Sequence, residues 1–483
     1  MNFNSFEFLI FFPIVFVLNY VVPTKYRFIP LLIASYYFYM SWNPELVFLI
    51  LFTTAVSYYS GLLMERKPQK RKLWLVISIV ASLSVLFFFK YYNFLAGGVS
   101  SFVSLFAKGT DFTIEGLLLP VGISFYTFQT LSYSIDVYRG SIPAEKNFFY
   151  YALFVSFFPQ LVAGPIERPE NLLPQLKEAH KINDSDMAIG AKRALTGFFK
   201  KVVVADIAAG YVNGVFNAPS EASGSSVLVA SVLYAIQIYC HFSGYTDIAI
   251  GCARMMGYRL MQNFDRPYGA ENIKDFWARW HISLTSWFKD YLYIPLGGNR
   301  KGKARQYVNL FIVFLVSGLW HGADMTFVIW GALHGVYRVV GMLTAKKRDA
   351  LYAKLHLDVT SIPVRLFRRF ITFCLVCFAW IFFRANNTGE LMILLKNLFT
   401  NFGGLAFISE MGITATGALV LIISFIILAM LDRRNSLPDS AYVEKGGAEI
   451  RSGATAYLIW AVAVAWMILL AGDGASSFIY FQF

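Results

Sequence analysis

Six histidines, His180, His241, His281, His321, His334 and His356, are the side chains of this 483-residue sequence best matched to proton transfer near neutral pH. His180 and His356 stand in polar stretches and read as solvated. His321 is different: the apolar run from Phe311 to Trp320 precedes it, and Gly322-Ala-Asp324 and then Phe327 to Trp330 follow. An ionisable group in such a setting is costly and reads as functional by default. A histidine packed between helices with a backbone partner fits the same spacing, and spacing alone leaves both readings open. Ser317 precedes His321 by four residues and Asp324 follows it by three, which would set all three on one helix face. A Ser–His–Asp relay is conceivable there, although triads draw their members from separate elements.

Other chemistries fail on inspection. No G-x-S-x-G elbow is present, and no histidine begins an H-x-x-x-x-D motif. Gly297, Gly302 and Lys303 match the spacing of a phosphate loop, but Ala304 replaces the magnesium-binding Ser or Thr and no strand precedes them. Cys374 and Cys377 form a C-x-x-C inside the apolar run Phe367–Phe383 without a second pair. No metal site is expected.

The elements that must position these residues are membrane helices. Apolar residues make up 57% of the chain and charged ones 15%, against about 25% in soluble domains; mean hydropathy is +0.54. The apolar residues come in runs of roughly spanning length: Phe6–Val22, Phe28–Trp42, Leu46–Met64 and Leu73–Phe94. Further runs lie near Leu117–Val137, Phe148–Ala163, Phe198–Phe216, Val227–Met256, Tyr307–Val340, Phe367–Phe383, Ile413–Leu431 and Ala454–Ala471. The expectation is an all-α polytopic membrane protein of about 10–12 transmembrane helices, a single integral membrane domain over 1–483. Nothing basic precedes the first run and no small-residue cleavage site follows it, so it reads as a retained span.

Basic residues set the orientation. Glu65–Lys72 holds five Lys or Arg beside one acid and is expected in the cytoplasm, as is the loop with Lys25 and Arg27, which leaves the N-terminus outside. Arg300–Arg305, Lys346–Lys354 and Arg365–Arg369 carry much of the remaining net charge of +13. These clusters sit between apolar runs, so no nucleic-acid partner is called for.

The segment Asn263–Arg305 is too charged for an ordinary span. Yet Phe276, Trp280, Leu284, Trp287, Phe288 and Tyr291 recur at helical spacing. Asn272 stands at an N-cap position, and Pro295-Leu-Gly-Gly298 stops the pattern. An amphipathic helix is predicted here, at the interface or entering the membrane against protein.

A series of motifs between 120 and 340 now resembles one family. It comprises Pro120-Val-Gly-Ile-Ser-Phe-Tyr-Thr-Phe-Gln129 with Ile135-Asp-Val-Tyr-Arg-Gly140, Phe158-Pro-Gln-Leu-Val-Ala-Gly-Pro165, Phe242-Ser-Gly-Tyr-Thr-Asp247, Asn263-Phe-Asp-Arg-Pro-Tyr268, Phe276-Trp-Ala-Arg-Trp-His281, Asp290-Tyr-Leu-Tyr-Ile-Pro-Leu-Gly-Gly298 and Gly318-Leu-Trp-His-Gly322. In this order they resemble the bacterial membrane-bound O-acyltransferases (MBOAT), and most the branch of alginate and peptidoglycan O-acetyltransferase membrane subunits. The resemblance implies a helical, funnel-shaped fold in the bacterial inner membrane, with a channel joining the two faces. It implies two working histidines: His321 as base in the membrane interior, and His281 nearer the cytoplasmic entrance, positioning the donor or sharing the proton work. It also implies acetyl-CoA as donor substrate with no bound cofactor, a polysaccharide acceptor, and an extracytoplasmic SGNH-hydrolase-like partner. Lys289, Arg300 and Lys301 lie on the His281 segment and could hold CoA phosphates; positive-inside anchoring explains them at least as well.

Three other readings differ in what they predict. Teichoic-acid D-alanyl transfer would need a different thioester donor. A transporter would show inverted repeats with paired broken helices, and no such symmetry is visible. A non-catalytic scaffold would leave His321 dispensable.

Overall fold

The computed structural model describes residues 1–435 apart from 105, 107–111, 115, 117 and 118, and again 454–470. Leu117 and Ala471, at the ends of two of the apolar runs, lie outside the described residues. Every element among the described residues is helical. The first run forms α1 (Phe6–Val21), the second α2 (Phe28–Met40) and the third α3 (Val47–Arg66). The fourth forms α4 (Arg71–Leu86), which passes through a π-helical turn at Phe87–Tyr91 into α5 (Tyr92–Val103). After α6 (Ile123–Arg139), the run Phe148–Ala163 divides into α7 (Phe148–Ser156) and α8 (Phe158–Leu161). Neither is long enough to span. Pro159 in the first turn of α8 has no N–H to give back to α7, and Phe157 between them leaves helical geometry with ψ 111°.

The next elements are α9 (Pro169–Lys177), α10 (Asp184–Phe198), α11 (Asp206–Phe216) and the 32-residue α12 (Gly224–Met255). A π-helical stretch at Phe199–Ala205 joins α10 to α11, so the run predicted at Phe198–Phe216 is the second half of one longer rod. The run Tyr307–Val340 is a hairpin of α15 (Lys303–His321) and α16 (Met325–Leu343), preceded by the two short helices α13 (Ile273–Arg279) and α14 (Ile282–Phe288). The chain continues through α17 (Ala345–Lys354), α18 (Ile362–Arg384), α19 (Thr388–Thr400), α20 (Phe407–Glu410), α21 (Ala415–Asn435) and α22 (Ala454–Leu470). Among the described residues five helices are long and apolar enough to cross a membrane, and three shorter ones are apolar. Exposed Leu, Ile, Val and Phe side chains cover their outer faces, as a protein bathed in lipid requires.

The basic loops gather at one end. Arg71 donates to the carbonyl of Val137 near the end of α6, and Arg139 Nη2 donates to the carbonyl of Asp290 at 3.1 Å. Asn309 Nδ2 donates to the carbonyl of Gly298 at 3.0 Å, which ties the turn before Arg300–Arg305 to the start of α15. Glu271 pairs with Arg365 at 2.8 Å and Arg368 at 3.2 Å at the start of α18. From Lys303, α15 then runs about 27 Å to His321 at 1.5 Å per residue, nearly the thickness of a hydrocarbon core, about 30 Å.

The α15–α16 hairpin closes on two glycines. A Cβ on Gly318 would lie 2.3 Å from the carbonyl oxygen of Phe327, and one on Gly331 2.4 Å from that of Phe314. Backbone therefore meets backbone, the close approach that small residues allow between membrane helices.

Candidate active site

The amphipathic segment is buried against protein, and it is not one helix. Phe276, Trp280, Leu284, Trp287 and Phe288 are all buried, and Asn272 caps α13 through Oδ1, which accepts from the N–H of Asp275 at 3.0 Å. Continuity fails at Trp280-His281. Trp280 is extended and His281 adopts a left-handed conformation with φ +46°. The cause is the neighbouring stretch at 263–265. The N–H of Asp265 donates to the carbonyl of Arg279 at 3.0 Å, and the carbonyl of Asn263 accepts from the N–H of Ile282 at 2.9 Å. Backbone groups that a continuous helix would use internally are spent on this outside partner. A non-glycine residue in that region costs roughly 1–2 kcal/mol, and strain of this kind concentrates at functional sites.

The break turns His281 inward, where it is fully buried. Asn263 Oδ1 accepts from Ser283 twice, from Oγ at 2.9 Å and from the backbone N–H at 3.4 Å, which fixes it as the amide oxygen. The same oxygen lies 3.0 Å from His281 Nδ1. Nδ1 therefore carries the proton, and Nε2 is the basic nitrogen. His281 Nε2 is buried with no hydrogen-bond partner among the described residues. Around the ring stand Phe242, Phe125 and Trp320, with centroids 4.8, 6.4 and 6.1 Å away.

His321 ends α15 and packs against the same indole. Its ring lies 4.8 Å from Trp320, 5.1 Å from Trp330 and 5.3 Å from Phe383, and it is 3% exposed. The fold thus brings both predicted histidines to one tryptophan, although 40 residues separate them in sequence. The last carbonyls of α15 are closed from the π-helical turn at Phe87–Tyr91. Tyr91 Oη donates to Leu319 O at 2.8 Å, and Lys90 Nζ donates to Trp320 O at 2.7 Å and His321 O at 3.0 Å. The end of a helix has carbonyls to satisfy, and side chains from a π-bulge do so here.

A pocket opens beside His321, lined among others by Lys90, Pro120, Gly122, Phe125 and Trp320. Its wall is the Pro120-Val-Gly-Ile motif. Gly122 there has φ +71°, and a Cβ on it would lie 2.9 Å from the carbonyl oxygen of Leu161, so this turn needs glycine twice over.

The Ser317–His321–Asp324 grouping does not form on one helix face. Helix α15 ends at His321, and Asp324 is the N-cap of α16, where Oδ1 accepts from the N–H of Thr326 at 2.8 Å. Lys289, Arg300 and Lys301 are exposed, whereas both histidines are buried. The remaining polar residues of the motifs join helices. Asp136 accepts from Tyr291 Oη at 2.6 Å, Asp247 pairs with Arg193 and Lys200 at 3.0 and 3.1 Å, and His334 Nδ1 accepts from Trp277 Nε1 at 3.2 Å. Sequence reasoning assigned no role to Asn263 or Lys90. The signal for Lys90 was present, since it is the one charged residue inside the run Leu73–Phe94. Asn263 carries no such signal, because its partners are set by folding.

Comparison with known proteins identifies the family. The sequence profile of MBOAT, the membrane-bound O-acyltransferase family, matches residues 37–384. A probable alginate O-acetylase of Azotobacter vinelandii is 36% identical over the whole of both chains. A peptidoglycan O-acetyltransferase of Helicobacter pylori is 37% identical over 76% of this chain and 73% of its own. A teichoic acid D-alanyltransferase of Bacillus subtilis is 28% identical over 46% of this chain and 58% of its own. The chain is a multi-pass membrane acyltransferase and belongs to the membrane-bound O-acyltransferase family.

Proposed function

We propose that the protein takes an acetyl group from acetyl-CoA on the side of the basic loops, the cytoplasm, and passes it to a hydroxyl of an extracytoplasmic polysaccharide or of a partner protein that completes the transfer. The observation that carries this reading is the pair of buried histidines, His281 and His321, both against Trp320, with His321 at the opposite end of α15 from Arg300–Arg305. CoA is a large anion confined to the cytosol, while the glycan lies outside. A buried basic nitrogen between the two faces lets thioester and hydroxyl meet without either carrier crossing. The acceptor hydroxyl attacks the thioester carbonyl as a histidine takes its proton, a contribution of roughly 10²–10⁴ in rate. We assign that base to His321, with His281 presenting Nε2 beside it. Lys289, Arg300 and Lys301, exposed near the basic end, are proposed to meet the CoA phosphates. The partner expected outside is an SGNH-hydrolase-like acyltransferase. Two relatives named for acetylation of alginate and of peptidoglycan support an acetyl donor and a glycan acceptor.

The test is acetyl incorporation by protein reconstituted in vesicles with acetyl-CoA inside. His321→Ala is expected to lose at least about 100-fold while its expression and detergent-solubilised folding stay near wild type. Ser317→Ala is expected to keep most activity, because no acyl-serine forms on the route proposed. Full activity in His321→Ala would sink the assignment and favour a scaffold.

A further inference from the structure

We propose that Lys90 holds the reacting acyl carbonyl: its ammonium fastens the end of α15 with two N–H groups and offers the third to the oxygen on which negative charge develops. The proposal rests on the acyl-transfer reading of this site and adds to it a residue for the carbonyl.

An ammonium has three donors and no acceptor. Two of them reach Trp320 O and His321 O. The third has no hydrogen-bond partner among the described residues, although Nζ also lies 6.0 Å from the centroid of the Trp320 ring, and Lys90 lines the same pocket as His321. Among the described residues no carboxylate lines that pocket to neutralise the charge. The first turn of α6 also lines it, and no side chain caps this 17-residue helix, so the positive end of its dipole adds to the same field. Most of the remaining wall is apolar, which strengthens any hydrogen bond made to a developing oxyanion.

The need for a cation is the second part of the argument. Closing two carbonyls requires only neutral donors, and a charge within an otherwise apolar span is expensive. A charged side chain is worth keeping where negative charge appears during the reaction. In the step inferred, the acceptor oxygen bonds to the acyl carbon as a histidine takes the hydroxyl proton. The carbonyl electron pair moves onto oxygen, where the Lys90 N–H meets it. Collapse re-forms the C=O bond and breaks the C–S bond, and the leaving thiolate takes the proton from the histidine. Lys90 keeps its own proton throughout.

The experiment uses the full-length protein in vesicles and three variants. Lys90→Met and Lys90→Gln are expected to lose about 100-fold or more in kcat, the scale for removing one oxyanion donor, with KM for acetyl-CoA within about threefold. Lys90→Arg is expected to recover part of the loss. Glutamine can still donate to the α15 carbonyls, so Lys90→Gln separates the charge from the latch, and thermal unfolding in detergent checks that the latch holds. The proposal is overturned if Lys90→Gln keeps kcat within about threefold of wild type or changes KM alone. It is equally overturned if Lys90→Met and Lys90→Gln both fail to fold, which makes Lys90 a structural latch. His321→Ala in the same assay reports on the underlying reading separately, because full activity there removes that reading whatever the Lys90 variants do.

Discussion

Asn263 Oδ1 and His281 Nδ1 stand 3.0 Å apart in the protein interior, and that contact decides which nitrogen of His281 is basic. With Ser283 also donating to the same oxygen, Asn263 is the acceptor of a buried, three-residue network. Asn263→Ala removes the acceptor from His281 and from Ser283 together. The expected outcome is a fall in acyl transfer of about 10- to 100-fold, short of what loss of the base itself would cost. Stability should drop by about 1–3 kcal/mol, the cost of leaving buried donors unpaired. Activity assays beside thermal unfolding check both, and unchanged turnover would remove His281 Nε2 from the mechanism.

Trp280 and Trp287 hold the broken segment in the core. Trp280 lies 5.2 Å from Trp380, while Trp287 stacks on Phe128 at 4.0 Å and donates through Nε1 to Phe128 O at 3.1 Å. Trp280→Asp and Trp287→Asp each remove a large ring, a loss of about 3–5 kcal/mol, and bury a carboxylate besides. Both variants should disappear from the membrane fraction. Trp287→Phe keeps the stacking and should cost about 1 kcal/mol for the hydrogen bond, read from the unfolding midpoint.

The glycine contact between α15 and α16 sets the position of His321. Gly318→Val would push side-chain atoms into the Phe327 carbonyl and separate the hairpin. Overpacking of this kind costs about 1–3 kcal/mol. Because His321 lies three residues further along α15, activity should fall more than stability. A Gly318→Val protein with normal turnover would show that the hairpin tolerates displacement.

The basic loops predict orientation. In a cysteine-free background, cysteines placed at 66–72 and at 300–305 should be shielded from an impermeant thiol reagent in intact cells. Glu221→Cys, exposed in the turn before α12, should be labelled. Labelling of the two basic sites from outside would reverse the topology.

The sequence by itself determined that this is a helical membrane protein, because apolar runs separated by basic clusters leave no other way to satisfy backbone and charge. His321 also stood out, since an ionisable side chain between apolar runs is conspicuous without any fold. The motif series pointed to the family before any geometry. Tertiary structure alone decided the rest. Periodicity across 273–291 reads as one helix, because the side-chain pattern continues through Trp280-His281 although the backbone does not. The break comes from hydrogen bonds to Asn263 and Asp265, and a local pattern does not register a partner that arrives from elsewhere in the chain. For the same reason Asp324 looked like a neighbour of His321 until α15 ended between them. Lys90 was legible as a lone charge, but its role depends on meeting the carbonyls of Trp320 and His321, 230 and 231 residues away. Such meetings are set by how helices pack, and only the packed structure contains them.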